Sequence, residues 1–344
     1  MLLRISLAAL AIAVASPALA DAATYWGKLG TTDIVIELSK EFGAADEATV
    51  GRYLYAKKGI DIPLHVLEAT PEKLVLYEEF PCTPKLCEPA FEAGGSLPEK
   101  LRGAIWTLSS TDGQNLRGTW VAEKGAKPLP IDVGLFGTRP FETTENMQPY
   151  QLTGLPFEII DGEEELTYLN HPYEYLKATS VDPESGEDIK WGDVTFRYLT
   201  DPRVTFAFPQ VVDLSTSSVE DVVPANQRLF TRRYVMANAG LDCESQAYFG
   251  MGWSPGADNW LGSYAGYPDE QVEVLYLSPT VMSWSESGSL YCGGAYPENH
   301  TYLTTIDMKT GKDLDLSKIF ADSKMGDYRW EPGQSPSTSP SHAG

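Results

Sequence analysis

The chain has 344 residues, of which 48 are acidic and 26 are basic, so its formal net charge is −22 at pH 7. A charge of this size and sign opposes binding to nucleic acid and to anionic lipid. It would attract cationic partners or metal ions, although solubility alone is the commoner reason for an acidic surface. The length is sufficient for two domains of ordinary size.

Residues 1–20 have the pattern of a secretory signal peptide. Arg4 precedes a short apolar run, and Pro17 and small residues stand before Asp21. This is the charged start, apolar centre and A-x-A cleavage site of an export signal. The apolar run is shorter than the ~20 residues that a membrane span needs. We therefore expect a mature chain that begins at Asp21, is periplasmic or secreted, and has no membrane span.

Residues 21–137 predict an all-β domain, because short runs of apolar and β-branched residues alternate with tight turns. The predicted strands cover residues 33–38, 50–55, 60–66, 73–80, 101–106 and 116–120. Gly59 ends a predicted hairpin turn, and Asp112-Gly113 is a strong hairpin signal. Strands joined this tightly predict a meander that curls into a barrel or half-barrel. The tryptophans of this domain are predicted to lie in its core.

The rest of the chain predicts a second, mixed domain. Residues 138–170, rich in Pro, Thr and acids, predict a solvated linker. Residues 171–323 mix helix and strand, and a Ser-x-x-Glu capping box at Ser217 predicts a helix that continues through Met236. Residues 324–344, rich in Pro and Ser, predict a disordered tail. The expected fold class is therefore a β-rich N-terminal domain followed by an α+β domain.

The four cysteines of the chain all follow the signal. An even number of cysteines in an exported chain favours disulfides over free thiols. Three pairings are possible, and the clustering of the cysteines favours Cys82–Cys87 and Cys243–Cys292. A zinc site would require close C-x-x-C pairs or nearby histidines, which the cysteines do not have. We expect two disulfides and no metal.

One short string fits a catalytic motif. Residues 252–256 match G-x-S-x-G, but Pro255 follows Ser254 and has no backbone N–H to donate to an oxyanion. The four histidines, at 65, 171, 300 and 342, are not spaced as metal ligands. No Gly-rich phosphate loop is present, so we expect no cofactor and no catalysis. The alternative is a hydrolase of envelope polysaccharide that uses two carboxylates in a cleft; a structural envelope protein is a third reading.

Three strings in the last part of the chain carry a resemblance to a known family. They are Tyr276-Leu-Ser-Pro-Thr-Val-Met-Ser-Trp284, Tyr291-Cys-Gly-Gly-Ala-Tyr-Pro297 and Thr305-Ile-Asp-Met-Lys-Thr-Gly-Lys-Asp-Leu-Asp-Leu-Ser-Lys-Ile-Phe320. They resemble an extracytoplasmic domain of unknown function that occurs at the C-terminus of the lysozyme-sensing anti-sigma factor and beside peptidoglycan deacetylase domains. The family has Gly-Gly-Ala-His-Pro in the second string, and here Tyr296 replaces the histidine.

The resemblance implies a non-catalytic envelope module, which in the anti-sigma factor binds lysozyme. It also implies that Cys243 pairs with Cys292 beside a tight structural turn at Gly293 and Gly294. Three aromatic residues near this turn are candidate binding contacts: Trp284, Tyr291 and Tyr296. Packing around the disulfide is the role that we favour for them. The sequence thus predicts an exported binding protein whose partner is a cationic protein such as lysozyme, or a peptidoglycan fragment.

Overall fold

Residues 21–94, 96–144, 146–215, 219–253, 267, 269–292 and 297–314 are described by a computed structural model. Eight strands close into an antiparallel barrel, in which each strand pairs with the next and the last pairs with the first. They are β1 (Asp21–Leu29), β2 (Thr32–Leu38), β3 (Val50–Tyr55), β4 (Ile62–Thr70), β5 (Lys73–Glu79), β6 (Arg102–Ser109), β7 (Asn115–Val121) and β8 (Leu129–Pro140). The predicted fold class is confirmed, and the barrel is fully closed.

Alternation along the strands fills the barrel with side chains. Residues such as Tyr25, Ile36, Leu76 and Trp106 point inward and have no exposed surface, as expected for an eight-stranded barrel without a channel. Close approach of the strands requires glycine at one position in particular: a Cβ on Gly118 would lie 1.8 Å from a backbone oxygen of β6. The interior is therefore a packed core.

The segment predicted as a solvated linker is instead packed for much of its length. It contains a short helix, α2 (Phe157–Ile160), and Met147, Leu152, Ile159 and Leu166 are all buried. These apolar residues follow no helical or strand period, so the sequence pattern did not show that they are buried. These four residues are therefore packed rather than solvated, and the domain boundary at residues 138–170 stays a prediction.

Two helices accompany the barrel strands. Helix α1 (Pro84–Glu92) lies between β5 and β6, whereas α3 (Pro172–Thr179) packs against the outer side of β2 and β3. A four-stranded sheet contains β9 (Glu184–Ser185), β10 (Ile189–Trp191), β11 (Val194–Thr200) and β12 (Ala207–Leu214). A three-stranded sheet contains β13 (Gln271–Leu277), β14 (Val281–Leu290) and β15 (Glu298–Asp307). Helix α4 (Val223–Ser245) shares one core with both sheets.

Helix α4 differs from its prediction at both ends. It begins at Val223, with Pro224 in its first turn where a missing N–H costs nothing, and it continues to Ser245. Ser217 of the predicted capping box lies outside the described residues. None of the described helices is long and apolar enough to cross a membrane.

Both predicted disulfides are present. Cys82 and Cys87 clip the start of α1, with an S–S distance of 2.11 Å. Cys243, in the last turn of α4, bonds to Cys292 after β14, with an S–S distance of 2.06 Å. The second bridge fixes the end of α4 to the three-stranded sheet.

Candidate ligand site at the barrel mouth

One end of the barrel opens into a cavity of about 700 Å³, which we call the mouth cavity. Its lining comes from the β3–β4 hairpin, from the loop after β11 and from the end of α4 with the residues that follow. The side chains that define it are Tyr55, Lys57, Lys58, Ile62, Leu241 and Tyr248. Barrel mouths and junctions between structural units are common positions for ligand sites.

Strand alternation positions the barrel side of this cavity. Tyr53 points inward from β3, so Tyr55, two residues later, is on the same face at the open end. Ile62 pairs with Tyr53 across the hairpin. Gly59 turns the chain between them with a φ of +74°, a conformation that favours glycine. The hairpin thereby carries an aromatic and an aliphatic side chain to the rim.

Two hydrogen bonds hold the other wall against the barrel. The backbone N–H of Asp61 donates to Ser245 Oγ at 2.9 Å. The N–H of Cys82 donates to the carbonyl of Ala247 at 2.7 Å. Tyr248, which follows directly, is consequently fixed over the mouth and is only 8% exposed. The cavity wall is complete only because the end of α4 docks on the barrel.

The charged groups at the rim differ in how they are engaged. Arg203 is bound to Asp201 at 2.6 Å and also donates to two backbone carbonyls, so its role is structural. Lys57 and Lys58 are exposed and form no ion pair with any residue in the described part of the chain. These two lysines are therefore available to an anionic group of a ligand.

A carboxylate lies just below the cavity. Glu78 points into the barrel from β5, and its Oε2 accepts hydrogen bonds from Tyr53 Oη at 2.7 Å, Trp106 Nε1 at 3.1 Å and Trp120 Nε1 at 3.0 Å. Burial, and then the charge of Glu78, raises the pKa of Tyr53 well above its ordinary value. The same two causes raise the pKa of Tyr248. The charge of Glu78 thus affects the pKa of a tyrosine in the cavity wall.

Five other buried charged residues form a structural network between the barrel, α3 and α4. Arg52 contacts Glu37 at 2.7 Å, Asp61 at 3.0 Å and Glu174 at 2.5 Å. Lys177 contacts Asp61 at 3.1 Å. These five side chains are at most 3% exposed. Because cations compensate its carboxylates, this cluster links elements and has no free acid or base.

Two buried carboxylates of the three-stranded sheet and the residue before it, Glu286 and Glu270, are also bound by basic side chains. Glu286 is 1% exposed and is bound by Arg232 at 2.5 Å. Glu270 has no exposed side-chain surface and contacts His300 at 3.0 Å; burial raises its pKa. Within the described residues, no group of three His, Cys, Asp or Glu side chains could hold a metal ion. Glu270 and Glu286 are therefore not an accessible pair of facing carboxylates of the kind that a glycosidase requires.

The structure places the predicted contact residues as follows. Trp284 is fully buried, donates from Nε1 to Glu286 at 2.8 Å and leaves no surface for a partner, so packing accounts for it. The carbonyl oxygen of Tyr291 lies 3.2 Å from Cys243 Sγ, beside the disulfide. The other predicted site residues, Tyr296, Gly293 and Gly294, lie outside the described residues, as does Ser254 of the rejected catalytic motif.

Sequence reasoning missed the mouth cavity and Glu78. The signal for Glu78 was its place in the series Leu74, Leu76, Glu78, which puts an acid on the inward face of β5. Comparisons of the chain with family models, with curated proteins and with solved structures found no match. The resemblance of residues 276–320 therefore stays a prediction.

Proposed function

We propose that this protein is an exported, non-catalytic binding protein of the cell envelope, and that its mouth cavity holds a carboxylate-bearing fragment of peptidoglycan. One observation carries the proposal. A cavity of about 700 Å³ is walled by Tyr55 and Tyr248 and has two unpaired lysines, Lys57 and Lys58, at its rim. Exposed, unpaired cations around a partly aromatic cavity are notable in a chain of net charge −22.

The size and lining suit such a ligand. The volume is within the range of small-molecule sites, about 300–1,000 Å³. Tyrosine rings provide rigid contact area with a polar edge, which suits a sugar or peptide surface. Peptidoglycan fragments combine sugar rings with carboxylates, and the carboxylates would pair with Lys57 and Lys58. Charge-assisted hydrogen bonds of this kind are stronger than neutral ones.

The hydrolase alternative has less support. The buried carboxylates Glu270 and Glu286 are bound by His300 and Arg232 and have almost no exposed surface. A basic protein such as lysozyme is a separate proposal, which depends on the net charge of the chain. The lysines of the mouth cavity would repel it, so such a partner would have to bind another surface.

The test is calorimetry of the mature protein, residues 21–344, with soluble fragments released from peptidoglycan by a muramidase. The double variant Lys57→Glu/Lys58→Glu should weaken binding about tenfold or more, because attraction to the ligand becomes repulsion. The matched control is Lys190→Glu/Lys309→Glu, which makes the same change in net charge at exposed lysines outside the cavity. The control should bind like the wild type.

Three outcomes would contradict the proposal. Equal weakening by both double variants would mean that only long-range charge acts, since the two variants have the same net charge. Absence of binding to the wild type would remove the proposed ligand. Release of sugar or peptide from intact peptidoglycan by the protein alone would show an enzyme.

A further inference from the structure

Glu78 differs from the other buried carboxylates in its partners. It is 9% exposed, and its hydrogen bonds all come from neutral donors, Tyr53, Trp106 and Trp120. Six other buried carboxylates in the described ranges each contact an arginine, a lysine or a histidine: Glu37, Asp61, Glu79, Glu174, Glu270 and Glu286. A buried carboxylate with no counter-charge is costly, so the neutral partners of Glu78 call for a physical reason.

The hydrogen bonds leave one oxygen of Glu78 unused. Its Oε2 accepts all three bonds, whereas Oε1 accepts none from the described residues. The three donors come from β3, β6 and β7, which are fixed in the barrel wall. They hold the carboxylate in one orientation. Oε1 is therefore a preorganised acceptor.

Aromatic rings surround this acceptor. The ring of Tyr53 meets that of Trp106 with centroids 4.7 Å apart, and meets that of Tyr55 with centroids 5.5 Å apart. Tyr55 and Tyr248 also line the mouth cavity. The charge of Glu78 contributes to the raised pKa of both tyrosines, so Glu78 lies beside the cavity wall. A carboxylate among tyrosine and tryptophan rings is the environment that recognises an ammonium group, through ion pairing and cation–π attraction.

We propose that Glu78 is the subsite for a cationic amine, which enters from the mouth cavity beside Tyr55 and pairs with Oε1. The inference rests on the proposed function, because it takes the mouth cavity as the ligand site. It adds that the ligand is zwitterionic, with a carboxylate at Lys57 and Lys58 and an amine at Glu78. No bond is made or broken; the ligand supplies the counter-charge that the fold lacks.

The first test uses benzylammonium as the probe and benzyl alcohol as its neutral counterpart. The indole N–H groups of Trp106 and Trp120 donate to Glu78, so their NMR signals report directly on the carboxylate. Benzylammonium should shift both signals saturably, and benzyl alcohol should not. In Glu78→Gln, which keeps an acceptor oxygen but removes the charge, the shift should be lost. In Glu72→Gln, at an exposed acid after β4, it should be retained.

Equal shifts with the ammonium and the alcohol would overturn the subsite, and this comparison needs only the wild type, so it holds even if Glu78→Gln does not fold. A benzylammonium shift that survives in a folded Glu78→Gln would also overturn it.

The second test separates this inference from the proposed function. Peptidoglycan fragments with a free amino group are compared with the same fragments after N-acetylation, and the expected loss of affinity is about tenfold or more. Unchanged affinity after acetylation, with binding still dependent on Lys57 and Lys58, would leave the proposed function standing and remove the amine subsite. If no fragment binds but benzylammonium does, the subsite stands and the proposed ligand is wrong.

Discussion

Replacing Arg52 by methionine tests the charge network that joins the barrel to α3 and α4. Methionine keeps much of the aliphatic volume of the side chain but removes the guanidinium from Glu37, Asp61 and Glu174. Arg52 is 1% exposed and the three carboxylates are 0–3% exposed, so water cannot replace the lost contacts. The guanidinium also lies 3.9 Å from the ring centroid of Tyr173, and this contact disappears as well.

The expected destabilisation follows from the burial of these groups. Removing one partner of a buried ion pair costs about 3–5 kcal/mol, since a charge remains without its counter-charge. Arg52 serves three carboxylates, but Lys177 still contacts Asp61 at 3.1 Å and Arg139 still contacts Glu37 at 2.7 Å. We therefore expect the free energy of unfolding at pH 7 to fall by about 4 kcal/mol, within that range.

The loss should also depend on pH. Burial alone would raise the pKa of Glu37, but Arg139 and Arg52 hold it below its ordinary value; for Glu174, Arg52 and Lys177 overcome burial in the same way. In the wild type these carboxylates add stability above their unfolded pKa of about 4.3 and lose it as the pH falls through the folded pKa. Without Arg52, burial raises the pKa of Glu174 above the unfolded value, so stability is lost as the pH rises. The deficit should be larger at pH 7 than at pH 5.

Urea unfolding of the mature protein with intact disulfides, at pH 7 and pH 5, measures both quantities. The control is Arg117→Met, because Arg117 and its partner Asp132 are 74% and 68% exposed. Its stability should change by no more than about 0.5 kcal/mol. A deficit for Arg52→Met below about 1 kcal/mol, or one that is equal at both pH values, would refute the reasoning.

Three further predictions concern titration, disulfides and charge. Burial raises the pKa of Asp242 to about 6, so its contribution to stability is present at low pH and lost as the pH rises through 6; Asp242→Asn should flatten this decline in urea titrations. Replacing Cys243 and Cys292 by serine should lower the free energy of unfolding by about 4 kcal/mol, and by more than the same change at Cys82 and Cys87. The reason is that Cys243–Cys292 spans 49 residues, whereas Cys82–Cys87 spans 5. Urea unfolding compares the two variants, and non-reducing peptide mapping that joins Cys87 to Cys243 would contradict the pairing. If lysozyme binds the acidic surface, calorimetry should show affinity that falls with salt, as the Debye length shortens from ~30 Å at 0.01 M to ~8 Å at 0.15 M, yet survives at the higher value.

The parts of the fold that depend on neighbouring residues could be predicted from sequence. The hairpin turns at Gly59 and Asp112-Gly113 form where expected, with φ of +74° at Gly59 and +69° at Gly113. Closure of the barrel could not be predicted with the same certainty, because it requires β1 to pair with β8. Strand patterns show which face is buried, but they do not show whether the first and last strands meet.

The candidate site was less predictable for a related reason. The mouth cavity combines a hairpin of the barrel with Leu241 and Tyr248, which are distant in sequence. Charge and aromatic content alone do not distinguish Lys57 from any other exposed lysine. Glu78 could have been found, because an acid at an inward strand position is unusual, but its partners Trp106 and Trp120 come from other strands.

The pairing of β1 with β8 also has a consequence for how the barrel folds. The ladder joins Asp21 to Pro140, so β1 leaves the ribosome long before its second partner exists. Until then one edge of β1 has unpaired N–H and C=O groups and is open to association with other chains. Contacts this distant in sequence also slow folding, since the entropy of a long loop is lost before they form. An interval in which β1 is exposed and β8 is not yet available therefore favours aggregation.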